Sequence, residues 1–164
     1  MKNFNEVWKI FKDSFPEDER RRFEEQKTLL NNALYNFNSI YDDNLLVGFV
    51  AFWSLNDFIF IEHLAIDKNL RGKGYGGKIV KDIISKYNKT IILEVEKPIT
   101  NDAVRRISFY ENLGFHLNKH EYLQPALSED KNPVPLSLMS YPKNIDKKDF
   151  VKIKKTIYKT VYNL

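Results

Sequence analysis

Four of the six glycines in the chain fall within the segment Arg71-Gly72-Lys73-Gly74-Tyr75-Gly76-Gly77, between a strand-like run ending at Ile66 and a helical pattern of Ile79, Val80, Ile83, Ile84 and Tyr87. Glycine there lets several backbone N–H groups aim at one point, and unpaired amides at the positive end of a helix make an anion site. The first turn of that helix carries Lys73 and Lys78 and meets its first acid at Asp82, so no acidic side chain offsets the positive end. An external phosphate or pyrophosphate is the expected ligand. The spacing Gly72-x-Gly74-x-x-Gly77, with Glu94 about twenty residues on, also matches the dinucleotide fingerprint, which would imply a nucleotide-dependent oxidoreductase on a parallel sheet. Other chemistries are poorly supplied. The absence of cysteine excludes thiolate zinc sites, disulfide frameworks and an acyl-cysteine route. Histidines at 63, 116 and 120 are too scattered for a metal set, and no metal is expected.

The turn needs a strand before it and a helix after it, and the surrounding pattern provides both. Val7, Trp8, Phe11 and Phe15 recur at helical spacing until Pro16, which predicts a first helix. Residues 17–31 open on Glu17, Asp18 and Glu19 and read as a second, polar helix. Strand-like runs at 34–41, 45–53 and 58–66 are separated by Asp42-Asp43-Asn44 and Asn56-Asp57, so they predict an antiparallel meander. Helices at 74–87 and 100–113 then alternate with strands at 90–96, 115–122 and 136–141. The last helix, 146–162, repeats Phe150, Ile153, Ile157 and Val161 on one face, which must be covered by this chain's own sheet or by a second copy in a homodimer.

Length and composition set the outer limits. A chain of 164 residues with 43% hydrophobic and 14% aromatic residues is long enough for one domain with a core, and globally disordered behaviour is ruled out. Its longest apolar run, residues 45–53, is about half of what a membrane helix needs. Asn5, Glu6 and Lys9 interrupt the segment where a secretory signal would be apolar, so a soluble cytoplasmic protein with no membrane partner is expected. Residues 143–164 hold seven lysines against Asp146 and Asp149, a local charge of +5 within a net charge of +4. Lysines spread along an amphipathic helix without arginine read as a solvated face, and no nucleic-acid partner is expected.

Two blocks in order give a more specific reading. Arg71, Gly74 and Gly76 resemble the Arg/Gln-x-x-Gly-x-Gly/Ala signature of the GNAT acetyltransferases, and Glu62-His63-Leu64-Ala65-Ile66-Asp67 before it looks like the strand that precedes that signature. Further on, Arg105-Arg106-Ile107-Ser108-Phe109-Tyr110-Glu111-Asn112-Leu113-Gly114-Phe115 is similar to the family helix that ends in Tyr-x-x-x-Gly-Phe. The resemblance covers a domain of residues 1–142, with residues 143–164 as an added basic amphipathic helix. It implies an α/β fold with a mixed, mostly antiparallel sheet and helices on both faces. It also implies transfer of an acetyl group from acetyl-CoA to a primary amine in a ternary complex, the acceptor being a small molecule or a peptide. An acyl-CoA-binding sensor without turnover is the alternative.

That chemistry needs a neutral amine, stabilisation of an oxyanion and a proton for the departing thiolate. By resemblance, backbone at Leu64, Ala65 and Ile66 meets the pantetheine arm of the cofactor. Arg71, Gly72, Lys73, Gly74, Tyr75, Gly76 and Gly77 surround its pyrophosphate. Tyr110 is the candidate acid, since a phenol of pKa about 10 is protonated at neutral pH. Ala103, Ile107 and Tyr110 would also form a core stripe without any catalytic role. Glu62 is the candidate base: Phe58, Phe60, Glu62, Leu64 and Ile66 alternate onto one face, and burial among apolar neighbours raises a carboxyl pKa. An ion pair with Arg105 or Arg106 would serve Glu62 equally well. His63 falls on the opposite face as a packed residue, and Glu94 and Glu96 flank the cleft without an assigned role.

Overall fold

The computed structural model describes residues 4–164. Val7, Ile10 and Phe11 are buried along one side of α1 (Phe4–Ser14), and the chain leaves the helix just before Pro16. Residues 17–31 are not one helix. They divide into a 3-10 turn at Glu17–Glu19, an extended stretch at 20–22, α2 (Phe23–Thr28) and a second 3-10 turn at Leu29–Asn31. The break has a cause: extended backbone at Arg21 carries its side chain inward to a buried carboxylate, which a surface helix would hold in solvent.

Strands β1 (Tyr35–Asp42), β2 (Leu45–Ser54) and β3 (Phe58–Ile66) form the expected antiparallel meander. Helix α3 (Tyr75–Tyr87) then carries the chain over to β4 (Thr90–Glu96), which lies parallel to β3. After α4 (Asn101–Glu111) come β5 (His116–Leu117), β6 (Tyr122–Gln124), β7 (Val134–Tyr141) and α5 (Lys147–Thr160). The sheet order is β1-β2-β3-β4-β7-β5, with β6 also paired to β7. This is a mixed α/β architecture in which, among the described residues, the β3–β4 pair alone is parallel, so the described sheet is not the parallel one that the dinucleotide reading requires.

The single strand expected at 115–122 is split into β5 and β6. Asn118 explains the gap: its side-chain Nδ2 donates to Leu138 O at 3.2 Å and Ser140 Oγ at 2.9 Å, while its Oδ1 accepts from Ile145 N at 3.0 Å. Side-chain bonds there stand in for a backbone ladder.

A bulge opposite Ala51 and Phe52 changes the faces of β3. Ala51 pairs with His63 and Phe52 with Ile61, so Glu62 is the extra residue. Phe58 and Phe60 lie on the side covered by α1 and α5, as expected, but Leu64 and Ile66 lie with Ile59 and Ile61 against α3 and α4. Glu62 and His63 both face the α1 and α5 side, where the carboxylate meets Trp53 and the imidazole packs on Phe11 and Phe15. The uninterrupted alternation expected from the sequence fails at this one inserted residue.

Phe150, Ile153, Ile157 and Val161 of the C-terminal segment are buried with Val7, Phe11, Tyr122 and Leu136 of the same chain. Asp146 caps α5 through the Asp149 amide at 2.7 Å. Ile157 is fully buried, so Ile157→Ala should lower the unfolding free energy by about 2–5 kcal/mol. Urea denaturation checks this, and an unchanged midpoint would mean that the stripe contributes nothing to the core.

Candidate active site

Strands β3 and β4 share a ladder over Phe58–Ile61 and 90–93 and then part. Asp67 donates to Val47 O at 2.8 Å, so in this antiparallel stretch the peptide groups of odd residues turn to β2 and those of Leu64 and Ile66 turn to the gap. Arg71 occupies one of these groups, its Nε donating to Ile66 O at 3.1 Å. The peptide groups of Ala65 face β2. A cleft of about 700 Å³ fills the parting and takes its walls from both sides of the sheet. Gly74, Gly76, Phe109 and Tyr110 line it on the α3 and α4 side, and Glu19, Glu62, Glu94 and Gln124 line it on the other.

The glycine turn sits at the first mouth. Gly72 and Gly74 have φ of +78° and +84°, and Gly74 caps α3 without a side chain. The amides of Tyr75, Gly76 and Gly77 have no acceptor among the described residues, and a Cβ built on Gly72 or Gly74 would meet nothing within 4 Å. The turn therefore combines free donors, the positive end of a helix and open space, which fits a phosphate group. Gly76 serves another need: a Cβ there would lie 3.3 Å from the Phe109 ring, so this glycine lets α3 and α4 approach. Lys73 is not on the cleft wall, and the Tyr75 hydroxyl points away to Asp42 Oδ2 at 2.5 Å.

Tyr110 lies on the buried stripe of α4 with Ala103 and Ile107, its ring against Phe109 and Phe115. Burial pushes its phenol up to about 12, and its hydroxyl has no hydrogen-bond partner among the described residues. It reaches the cleft as a protonated donor with nothing else to bind.

The two carboxylates of the opposite wall are held differently. Glu62, its side chain 2% exposed, accepts from Arg21 Nη1 at 2.5 Å and Trp53 Nε1 at 3.0 Å. Burial alone would push its carboxyl up, but the Arg21 charge, with help from His63 and Trp53, holds it below the ordinary value. The expected rise toward a base is thus overturned, and the ion partner is Arg21 instead of Arg105 or Arg106. Arg105 instead lies 3.5 Å from Asp102, and Arg106 lies 3.9 Å from Glu96. His63 donates from Nε2 to Glu19 O at 2.8 Å, and burial pushes its imidazole down.

Glu94 takes the opposite course. Its Oε1 accepts from the Tyr122 hydroxyl, and the Tyr162 hydroxyl lies 2.8 Å from Oε1 and 3.0 Å from Oε2. Burial pushes its carboxyl up to about 7 against those hydrogen bonds, with the charges of Glu62 and Glu19 adding to the rise. Sequence reasoning left Glu94 without a role, missed Arg21 and Tyr162, and gave Tyr122 no part at Glu94. A signal for Glu94 was present, because it shares the face of the buried Ile92 on a strand whose other face holds Ile91, Leu93 and Val95.

The sheet thus parts beside the N-terminus of α3, with Tyr110 on one wall of the cleft and Glu62 and Glu94 on the other. The model of the acetyltransferase (GNAT) family matches residues 2–115, and the chain belongs to that family. A solved structure from Bacteroides thetaiotaomicron, named as a candidate acetyltransferase of the GNAT family, is 30% identical. The match covers 99% of this chain and 93% of that one, with a TM-score of 0.91. The Bacillus subtilis protein YjbC, named as a candidate acetyltransferase, is 29% identical over 117 residues. That match covers 69% of this chain and 60% of YjbC. An aminoglycoside 6'-N-acetyltransferase solved with coenzyme A shares the fold at 17% identity and a TM-score of 0.59, over 85% of this chain and 91% of that one.

The Arg21–Glu62 pair makes a prediction about pH. A carboxyl with a depressed native pKa contributes stability above its unfolded value of 4.5, and loses it as pH falls through the native value. Glu62→Gln leaves Arg21 buried without its counter-charge and should cost about 3–5 kcal/mol near neutrality. The gap to the unmodified protein should narrow in acid. Chemical denaturation as a function of pH measures it, and a gap independent of pH would rule out the ion pair.

Proposed function

We propose that this chain is an N-acetyltransferase that moves an acetyl group from acetyl-CoA to a primary amine by direct transfer in a ternary complex. The observation that carries the reading is the opening between β3 and β4, which reaches both sides of the sheet and lets two substrates meet end to end. On the α3 side, the amides of Tyr75, Gly76 and Gly77 and the open space at Gly72 and Gly74 would hold the pyrophosphate. The free peptide groups of Leu64 and Ile66 would orient the pantetheine arm. Arg71 supports them from Ile66 O, while the Tyr75 hydroxyl is turned to Asp42.

On the other side, Glu19 and Glu94 give the acceptor mouth acidic groups suited to a protonated amine, in a small molecule or a peptide. Bound acetyl-CoA supplies the activated acyl group. Glu94 accepts the proton of the ammonium, its carboxyl near 7 being poised for that exchange. Backbone N–H groups of β3 in the gap donate to the oxygen on which charge develops. Tyr110 Oη donates a proton to the departing sulfur. Glu62, kept ionised by Arg21, orders this wall and raises the proton affinity of Glu94.

Incubation with acetyl-CoA and a panel of polyamines, aminoglycosides and peptides should release CoA. Tyr110→Phe keeps the ring and removes the donor, so kcat should fall about ten- to a thousandfold with acetyl-CoA affinity little changed. Binding without release for any amine would make the chain an acyl-CoA sensor instead.

Gly74→Glu should abolish acetyl-CoA binding because the new side chain fills the space left for phosphate, and it should lower the melting temperature modestly because a φ of +84° strains any L side chain while the fold is kept. Calorimetry decides, and undiminished affinity would move the cofactor elsewhere.

A further inference from the structure

The residues that hold Glu94 come from outside the family-matched stretch of 2–115. We propose that Tyr162, brought to Glu94 by α5, is a positioning residue for acetyl transfer, its hydroxyl holding the Glu94 carboxylate toward the acceptor mouth. The proposal rests on the reading of Glu94 as base. Tyr122 bonds Oε1 alone, whereas Tyr162 reaches both oxygens, so Tyr162 is the donor within reach of Oε2. Without it, one carboxylate oxygen on the cleft wall has no partner among the described residues.

Tyr162 is itself fixed by the site. Arg21 Nη2 donates to Val161 O at 3.0 Å, and the same guanidinium lies 5.9 Å from the centre of the Tyr162 ring. Tyr158, one turn earlier, meets the Tyr162 ring edge-on at 6.4 Å and donates to Leu123 O at 2.5 Å. Arg21 thereby ties Glu62 and the end of α5 together, and α5 ties Glu94 to both. The titratable groups around Glu94 are Tyr122 on β6, Tyr158 and Tyr162 at the end of α5, Glu62 on β3 and Glu19 on the 3-10 turn, with Arg21 behind Glu62.

A hydroxyl donating to a carboxylate stabilises the ionised form. Tyr162→Phe, which keeps the ring under Arg21, should therefore raise the midpoint of Glu94 ionisation by about one pH unit. Carbon-13 titration of the Glu94 carboxyl reads this without any acceptor, the resonance being assigned by its loss in Glu94→Gln. With the amine that gives the greatest CoA release, the acid limb of kcat should move up by the same amount while KM for acetyl-CoA stays constant. Replacing Tyr162 alone by 3-fluorotyrosine keeps the fold and strengthens the donor, so the midpoint should move down. A lowered melting temperature with an unmoved midpoint would leave Tyr162 a packing residue and overturn the proposal while Glu94 remains the base. A Glu94→Gln enzyme with the unmodified pH profile would instead remove Glu94 from the mechanism, and Tyr162 with it.

Discussion

Strands β3 and β4 stop sharing hydrogen bonds after Ile61 and Leu93, and the inward peptide groups of the next residues of β3 have no strand to bind. Buried backbone groups demand partners, so a parted sheet is tolerable only where side chains, water or a ligand supply them. Several features answer that demand. The bulge at Glu62 stands where the pairing ends and turns the strand, Arg71 covers Ile66 O, and the remaining groups face the cleft. The parting also explains why one passage can join two sides of a sheet that elsewhere separates two apolar layers.

Across this gap the chain holds two carboxylates in contrasting states using different partners. A guanidinium meets Glu62 and keeps its charge, while phenols meet Glu94 and leave its charge costly in buried surroundings. The two are coupled, since a fixed negative charge at Glu62 makes a second one at Glu94 harder to sustain. Arg21 thus has an indirect influence on a group to which it makes no hydrogen bond.

Local patterns made the meander, the two helices after it and the glycine turn readable, because hydrophobic period and turn chemistry act over a few residues. The bulge was not readable. One inserted residue leaves the composition of 58–66 unchanged yet sends Leu64 and Ile66 to the other side of the sheet. The break at 20–22 was hidden for a related reason, since an arginine triplet in a polar stretch looks solvated until a buried acid claims one member. Glu94 illustrates the longest reach: its donors stand 28 and 68 residues further on, beyond what any window of periodicity samples.

The bond from Arg21 to Val161 spans 140 residues, whereas β1, β2 and β3 are joined by short turns. Loop closure of that size carries a large entropic cost that local hairpins avoid, so the meander can form early and the clamp around Arg21 must wait for nearly the whole domain. Until it closes, a charged guanidinium and two carboxylates stand without one another near a half-built apolar layer. The wall that carries Glu62 and Glu94 therefore closes after the local hairpins, and a molecule with a complete meander and glycine turn can still lack it.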